Sequence, residues 1–205
     1  SEPRMVTTPE NLEHQVIEYF FLDDGIQRIS SSSELKENTD RGVRTYSVTR
    51  LKNRIVATGQ GELLVHYRNS ILCWAEGVSG PGIGEYLDIS FTRPSDKLIV
   101  LNGYVDLIKR ELYKQNNRLR TVKIVSENPA FETEYTFEDI VQFHEIPLPA
   151  ATESVRLMIE SVYQGSLFDD TCVSAIMLPQ QRLRPEAEER QAIVELLKSR
   201  GYNVE

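Results

Sequence analysis

Between Trp74 and Phe91 the chain sets four glycines and a proline within residues 77–84, then runs straight into an alternating segment. No other stretch limits the fold as strongly. Gly77, Gly80, Gly82 and Gly84 with Pro81 call for tight backbone turns. In the segment that follows, Leu87, Ile89 and Phe91 fall on one face and Tyr86, Asp88 and Ser90 on the other, the two-residue period of a half-buried β-strand. A glycine-dense loop feeding a sheet is how β-sandwich modules present surfaces for binding. This juncture therefore points to a recognition module rather than a catalyst.

The same strand signal recurs from about residue 55 to 179. Lys97-Leu98-Ile99-Val100-Leu101 is a continuous apolar run, expected of a strand buried on both faces. Thr121 to Val125, Thr133 to Phe137 and Val155 to Ile159 alternate, and Asn102-Gly103, Asn128-Pro129, Leu148-Pro149 and Gln164-Gly165 punctuate them. Many short strands at this spacing predict a β-sandwich. Val16 to Leu22 suits a buried strand or a short helix, and residues 30–42 have loop composition. The segments 43–49 and 54–58 flank Lys52-Asn53 and predict a hairpin. At the other end, Pro185, the acids Glu186, Glu188 and Glu189, the stripe Ile193, Leu196 and Leu197, and Gly201 predict a helix over about 185–200. Three parts follow: an N-terminal extension of strands and loops at 1–54 packed on the sandwich, the sandwich at 55–179, and a C-terminal helix and tail at 180–205.

Composition narrows the partners. A net charge of −8 over 205 residues works against non-specific attraction to nucleic acid or to an anionic membrane. No run of about eighteen apolar residues offers a membrane-spanning helix. The opening Ser1-Glu2-Pro3-Arg4 is polar, which says nothing about export. Two cysteines, Cys73 and Cys172, are too few for a disulfide scaffold. They read either as small buried thiols or as a pair, if the fold joins their strands.

Catalytic motifs are poorly represented. Gly80-x-Gly82-x-Gly84 lacks the third glycine of a dinucleotide fingerprint, because Glu85 stands there and a strand follows instead of a helix. Glu76 and Glu85 are read, with Trp74, as structural loop residues, since acids in glycine-rich loops accept backbone N–H bonds. Asp169-Asp170 supplies either hard oxygen ligands or a turn. His14, His66 and His144 show no ligand spacing, so no metal is assigned. Tyr104, Tyr113, Tyr163 and Phe168 lie beside turns, where an exposed ring can stack on the apolar face of a sugar, or else cap the ends of the core. Asn116-Asn117-Arg118 adds hydrogen-bond donors. Tyr104, Tyr113, Asn117 and Arg118 are accordingly the candidate ligand contacts.

Five separated motifs carry a resemblance. They are Trp74-x-Glu76-Gly77-x-x-Gly80-x-Gly82-Ile83-Gly84-Glu85, Asn102-Gly103-Tyr104, Tyr113-x-x-Asn116-Asn117-Arg118-x-Arg120, Ser161-Val162-Tyr163-x-Gly165, and Asp169-Asp170-Thr171 followed by Cys172-Val173-Ser174. In that order, over about residues 55–179, they resemble the NADase-type glycan-binding domain, named from a module attached to bacterial NAD-glycohydrolase toxins. The resemblance implies a mainly β, discoidin-like (galactose-binding-like) jelly-roll sandwich. It implies a non-catalytic module of a bacterial envelope protein, extracytoplasmic as a secreted, periplasmic or surface lipoprotein. The ligand it implies is a glycan, or a protein if sugar binding has been lost. NAD-glycohydrolase activity is not implied, since in the toxins it resides in a separate domain.

Two departures from the family pattern bear on a structural calcium and on the cysteines. Leu72 and Ala175 offer no side-chain oxygen where related jelly rolls hold one near calcium, so no cofactor is expected. Cys73 and Cys172 fall in the two altered segments, and a disulfide in place of the ion is the expectation the comparison generates.

Overall fold

The structure, a computed structural model, describes residues 25–51, 73–106 and 109–179 with their side chains, together with Gln191 and Glu195. It also describes the backbone of short strands at 16–17, 21–23, 55–57, 64–66, 181–183 and 203–204. The principal strands are β1 (Ile26–Ser31), β2 (Lys36–Thr39), β3 (Gly42–Thr45), β4 (Trp74–Ala75), β5 (Tyr86–Asn102), β6 (Arg118–Glu127), β7 (Ala130–Thr136), β8 (Phe143–Tyr163) and β9 (Cys172–Met177). One turn of helix, α1 (Leu112–Gln115), precedes β6.

Two long strands make the sandwich. β5 and β8 run antiparallel along their whole length, Tyr86 opposite Met158 at one end and Leu101 opposite Phe143 at the other. The ladder is interrupted where Lys97 pairs with Pro147 and Ser95 with Thr152. At that bulge β8 carries extra residues and both strands turn a corner, the device by which strands pass from one layer to the other. The first half of β5 joins a layer ordered β7-β6-β8-β5-β1, and its second half a layer ordered β8-β5-β9-β4. Leu87 and Ile89 from one half of β5 meet Leu98 and Val100 from the other in a single apolar core, with Val122, Ile124, Leu157 and Ile159 between them. This is the discoidin-like jelly-roll sandwich expected.

The periodicities read from the sequence are those of the strands. Leu87, Ile89 and Phe91 are buried while Tyr86, Asp88 and Ser90 are half-exposed. The run 98–101 is buried on both sides: Leu98 and Val100 face the main core, whereas Ile99 and Leu101 pack with Phe143, Ala175 and Met177 in a second cluster.

The expected hairpin around Lys52-Asn53 is corrected. β3 pairs with β2 through the turn at Asp40-Arg41, and Val48–Arg50 forms a short 3-10 turn. Residues 55–57 pair instead with 64–66. Glu34 stabilises the 3-10 turn by accepting bonds from the Ser47 hydroxyl and the Val48 amide, both at 2.9 Å. That turn directs Leu51, fully buried, into the core. Lys52-Asn53 itself lies outside the described residues. So does most of the predicted helix at 185–200, where the two described positions, Gln191 and Glu195, are helical and joined side chain to side chain at 3.0 Å.

Residues 26–51, placed by the sequence in an extension, contribute β1, paired with β5 from Ile26 opposite Phe91 to Ser31 opposite Leu87. A chain beginning at residue 55 would expose the inner edge of β5 and leave the sites of Ile26 and Leu51 empty. Such a chain is expected to lose cooperative unfolding in a denaturant titration, whereas one beginning at residue 20 retains it.

Candidate functional site

The loops at one end of the sandwich are held by buried polar side chains, and Ser33 joins the first two of them. Its hydroxyl donates to Glu85 and accepts from the Gly77 amide at 2.9 Å, and its carbonyl accepts from Trp74 Nε1 at 3.0 Å. Glu76 is fully buried, and its carboxylate accepts from the amides of Val78 at 2.9 Å and Thr171 at 3.2 Å. Burial raises its pKa, an effect those two N–H bonds only partly oppose. The Thr171 hydroxyl donates to Pro81 O at 2.7 Å. Gly82 lies at φ +71°, and a Cβ there would fall 2.5 Å from Glu76 Cγ, a place no side chain can share. Trp74, Glu76 and Glu85 thus shape the glycine loop from within.

A second network fixes the loop at 164–170. Asn117, fully buried, donates through Nδ2 to Asp169 O at 2.9 Å and Asp169 Oδ1 at 3.0 Å, and accepts from the Gly165 amide at 2.6 Å. Arg118, 4% exposed, makes a two-pronged pair with Asp139 at 3.0 and 2.7 Å and donates to the carbonyls of Asn116 and Gln164. Tyr113 is buried beneath it and donates to Asp139 Oδ1 at 3.1 Å, with the Arg118 guanidinium 5.3 Å from its ring centre.

Tyr113, Asn117 and Arg118, expected as ligand contacts, stand buried inside this loop network. Their polar atoms are spent on loop backbone and on Asp139. Proximity to a turn in the sequence marked residues that hold the turn from inside. Asp139, in the loop between β7 and β8, gives no local signal, because its partner Arg118 lies 21 residues away at the start of β6.

Tyr104 differs from those three. It follows β5 half-exposed and lines a cavity of about 260 Å³. Glu37 and Arg44 from the β2–β3 hairpin, Tyr46 just beyond it, Lys109, and Phe168 and Asp170 from the loop before β9 complete the walls. Leu35, Ala75, Leu112 and Cys172 add apolar surface. The rings of Tyr46 and Tyr104 meet edge to face, 6.4 Å between centres and 73° between planes.

Some of these groups are already committed. The Tyr46 hydroxyl donates to Glu37 at 2.9 Å, and burial together with that carboxylate pushes its pKa up to about 12. Others are not: the Tyr104 hydroxyl, the Lys109 ammonium and the Asp170 carboxylate have no hydrogen-bond partner among the described residues. Burial raises the Tyr104 pKa far above the usual phenol range, so the hydroxyl stays a donor at any physiological pH. Burial, then the nearby charges of Glu37 and Asp169, raise that of Asp170. Besides the charges of Glu37 and Arg44, the cavity therefore offers one aromatic hydroxyl, the Asp170 acid and the Lys109 ammonium against an apolar wall in which Phe168 is 42% exposed. Among the described residues no three His, Cys, Asp or Glu side chains converge as a metal site.

Cys73 and Cys172 are brought together below this cavity, buried, and both are free thiols in this structure.

The Asp139 cluster makes a prediction about acid. Burial alone would raise the Asp139 pKa, but the hydrogen bonds and charges of Arg118 and Lys114 outweigh it and hold the group at about 2. A carboxylate depressed in the folded state stabilises the protein above its unfolded value of 3.8, and the contribution is lost as pH falls through about 2. Asp139→Asn is expected to be less stable than the parent at neutral pH. The gap should narrow as the pH is lowered from about 4 to 2, as read by chemical denaturation at each pH.

A family model described as the NAD glycohydrolase translocation F5/8 type C domain matches residues 20–179. No curated protein matches the chain. Among solved structures, arabinofuranosyltransferase AftD from Mycobacteria aligns with 15% identity and a TM-score of 0.48, over 81% of this chain and 12% of that one. This chain thus spans a small part of that protein. The family 32 module of C. perfringens NanJ, in complex with galactose, aligns with 12% identity and a TM-score of 0.43, over 75% of this chain and 93% of that one. GH31 CBM32-2, bound to GalNAc, aligns with 9% identity and a TM-score of 0.44, over 75% and 98%.

Proposed function

Because the chain belongs to the NAD glycohydrolase translocation F5/8 type C domain family, we propose that it is a non-catalytic recognition module, and that the ligand is a carbohydrate held in the cavity beside Tyr104. The cavity carries this reading. Its volume of about 260 Å³ lies just under the roughly 300–1,000 Å³ of pockets for drug-sized ligands, so it suits one or two sugar rings rather than a long chain. Phe168 offers an exposed ring for the apolar face of a sugar. Tyr104, Asp170 and Lys109 provide a donor–acceptor, an acceptor and a donor for hydroxyls, none of which must first be released from a protein partner. The family is described by translocation rather than catalysis, and we read this chain likewise as an accessory to an extracytoplasmic bacterial protein, whether secreted, periplasmic or a surface lipoprotein.

A second reading is favoured by the two loops that Thr171 joins. Val78 and Ile83 on the glycine loop and Leu167 and Phe168 on the 164–170 loop are exposed apolar side chains, and Thr171 links the two loops. Exposed apolar side chains of this kind fit a protein partner.

A glycan array probed with the purified chain tests the first reading against the second. Binding to a defined glycan class is expected, weakened about tenfold in Tyr104→Phe, which removes one hydroxyl, and further in Tyr104→Ala. Asp170→Asn should also weaken it without unfolding, since only the Asp170 backbone holds the fold, accepting from the Asn117 amide. Tyr113→Phe should leave binding nearly unchanged. A blank array would move the assignment to a protein partner, sought by pull-down from an envelope fraction.

The charge on Asp170 gives a further check. Its raised pKa means the carboxylate begins to protonate above the ordinary 3.8. Affinity should fall on mild acidification in the parent and stay flat over the same range in Asp170→Asn, measured by calorimetric titration.

A further inference from the structure

The fold sets the two cysteines side by side at the floor of the cavity. β4 pairs with β9 so that Ala75 lies opposite Cys172 and Trp74 opposite Val173. Cys73, two residues before Ala75, therefore projects from the same face as Cys172, one diagonal step along the ladder. Both side chains belong to one small apolar cluster with Tyr46 and Ala75, bordered by Leu35 and Tyr104. Cys172 also lines the cavity, whereas Cys73 does not. Cys172, 1% exposed, thus stands directly beneath the cavity wall, and Cys73, fully buried, stands behind it.

We propose that Cys73 and Cys172 are a modification site, a thiol pair that closes to an intramolecular disulfide by exchange with a small-molecule disulfide entering through the cavity. The Cys172 thiolate attacks one reagent sulfur, the reagent's S–S bond breaks, and one reagent thiol leaves with a proton. The Cys73 thiolate then attacks Cys172 Sγ in the mixed disulfide, the protein S–S bond forms, and the second reagent thiol leaves protonated. The protein gives up two electrons and two protons, and the reagent takes both. Cys73 is the slow partner, since burial and the adjoining Cys172 thiol raise its pKa and thin its thiolate population.

The bond would close a loop of roughly 100 residues that contains β4, β5, β6, β7 and all of β8. The conformational entropy it removes from the unfolded ensemble, the folded chain's competitor, is correspondingly large. It would also tie β4 to β9 under the cavity. The pairing stands whether or not the cavity binds sugar, and its test reads no glycan.

The test treats the full chain with glutathione disulfide or with dithiothreitol, then unfolds it, alkylates it and weighs it intact. With glutathione disulfide the expected product carries no label, is two hydrogens lighter, and melts roughly 10 °C higher than the reduced form, all reversed by dithiothreitol. Cys73→Ala, a near-isosteric change, should stop at the Cys172 mixed disulfide and show no such gain. Two labels per parent chain after oxidation, or a parent that halts at a glutathione adduct, would overturn the proposal.

Discussion

The antiparallel ladder between β5 and β8 is the constraint on which the rest depends. Each strand is long enough to serve both layers, and the bulge between Pro147 and Thr152 bends the pair across the core. A ladder that spans the corner fixes which residues of the two layers face each other. Leu87 and Ile89 therefore meet Leu98 and Val100 although all four lie on one strand. Every other principal strand except the β2–β3 hairpin attaches to this pair directly or through one neighbour: β1 and β9 to β5, β6 to β8, β7 to β6 and β4 to β9. Loss of register at the corner would expose the apolar face of both halves at once.

The loops at the cavity end depend on that frame in a different way. They contain few apolar anchors and are shaped by buried polar groups that satisfy loop backbone: Glu76 for the glycine loop, Asn117 and Arg118 for the loop at 164–170. Asn102 does the same between strands, donating to Leu119 O and accepting from its amide, both at 2.8 Å. A buried polar group that loses its partner costs about 1–3 kcal/mol. These side chains therefore hold each loop in one arrangement, and the cavity keeps its shape because its supports are inside. The groups left for a ligand are those the supports do not use.

Much of the sandwich was legible in the sequence for a simple reason. A strand with one buried face must alternate, and one buried on both faces cannot, so 87–91 and 98–101 declared their environments. The hairpin at 43–58 was misassigned because β-propensity reports that a segment is extended and not which segment it pairs with. The site was less legible. Tyr113 and Tyr104 both stand beside turns, yet one is buried under Arg118 and the other lines the cavity. Glu37, Tyr46 and Asp139 gave no local signal, since each acquires its role from a residue on another element.

By itself, then, the sequence determined a mainly β chain, its strand faces, its glycine-shaped loop and, through motifs in order, its family. Those properties follow from residues near one another along the chain, where period and turn chemistry act. Only the tertiary structure decided that residues 26–31 belong in the sheet, that Arg118 serves Asp139, and that Tyr104, Asp170 and Lys109 share a cavity above two thiols. Those facts rest on contacts between residues tens of positions apart. Such contacts are set by how the β5–β8 ladder bends, and no local pattern encodes that bend.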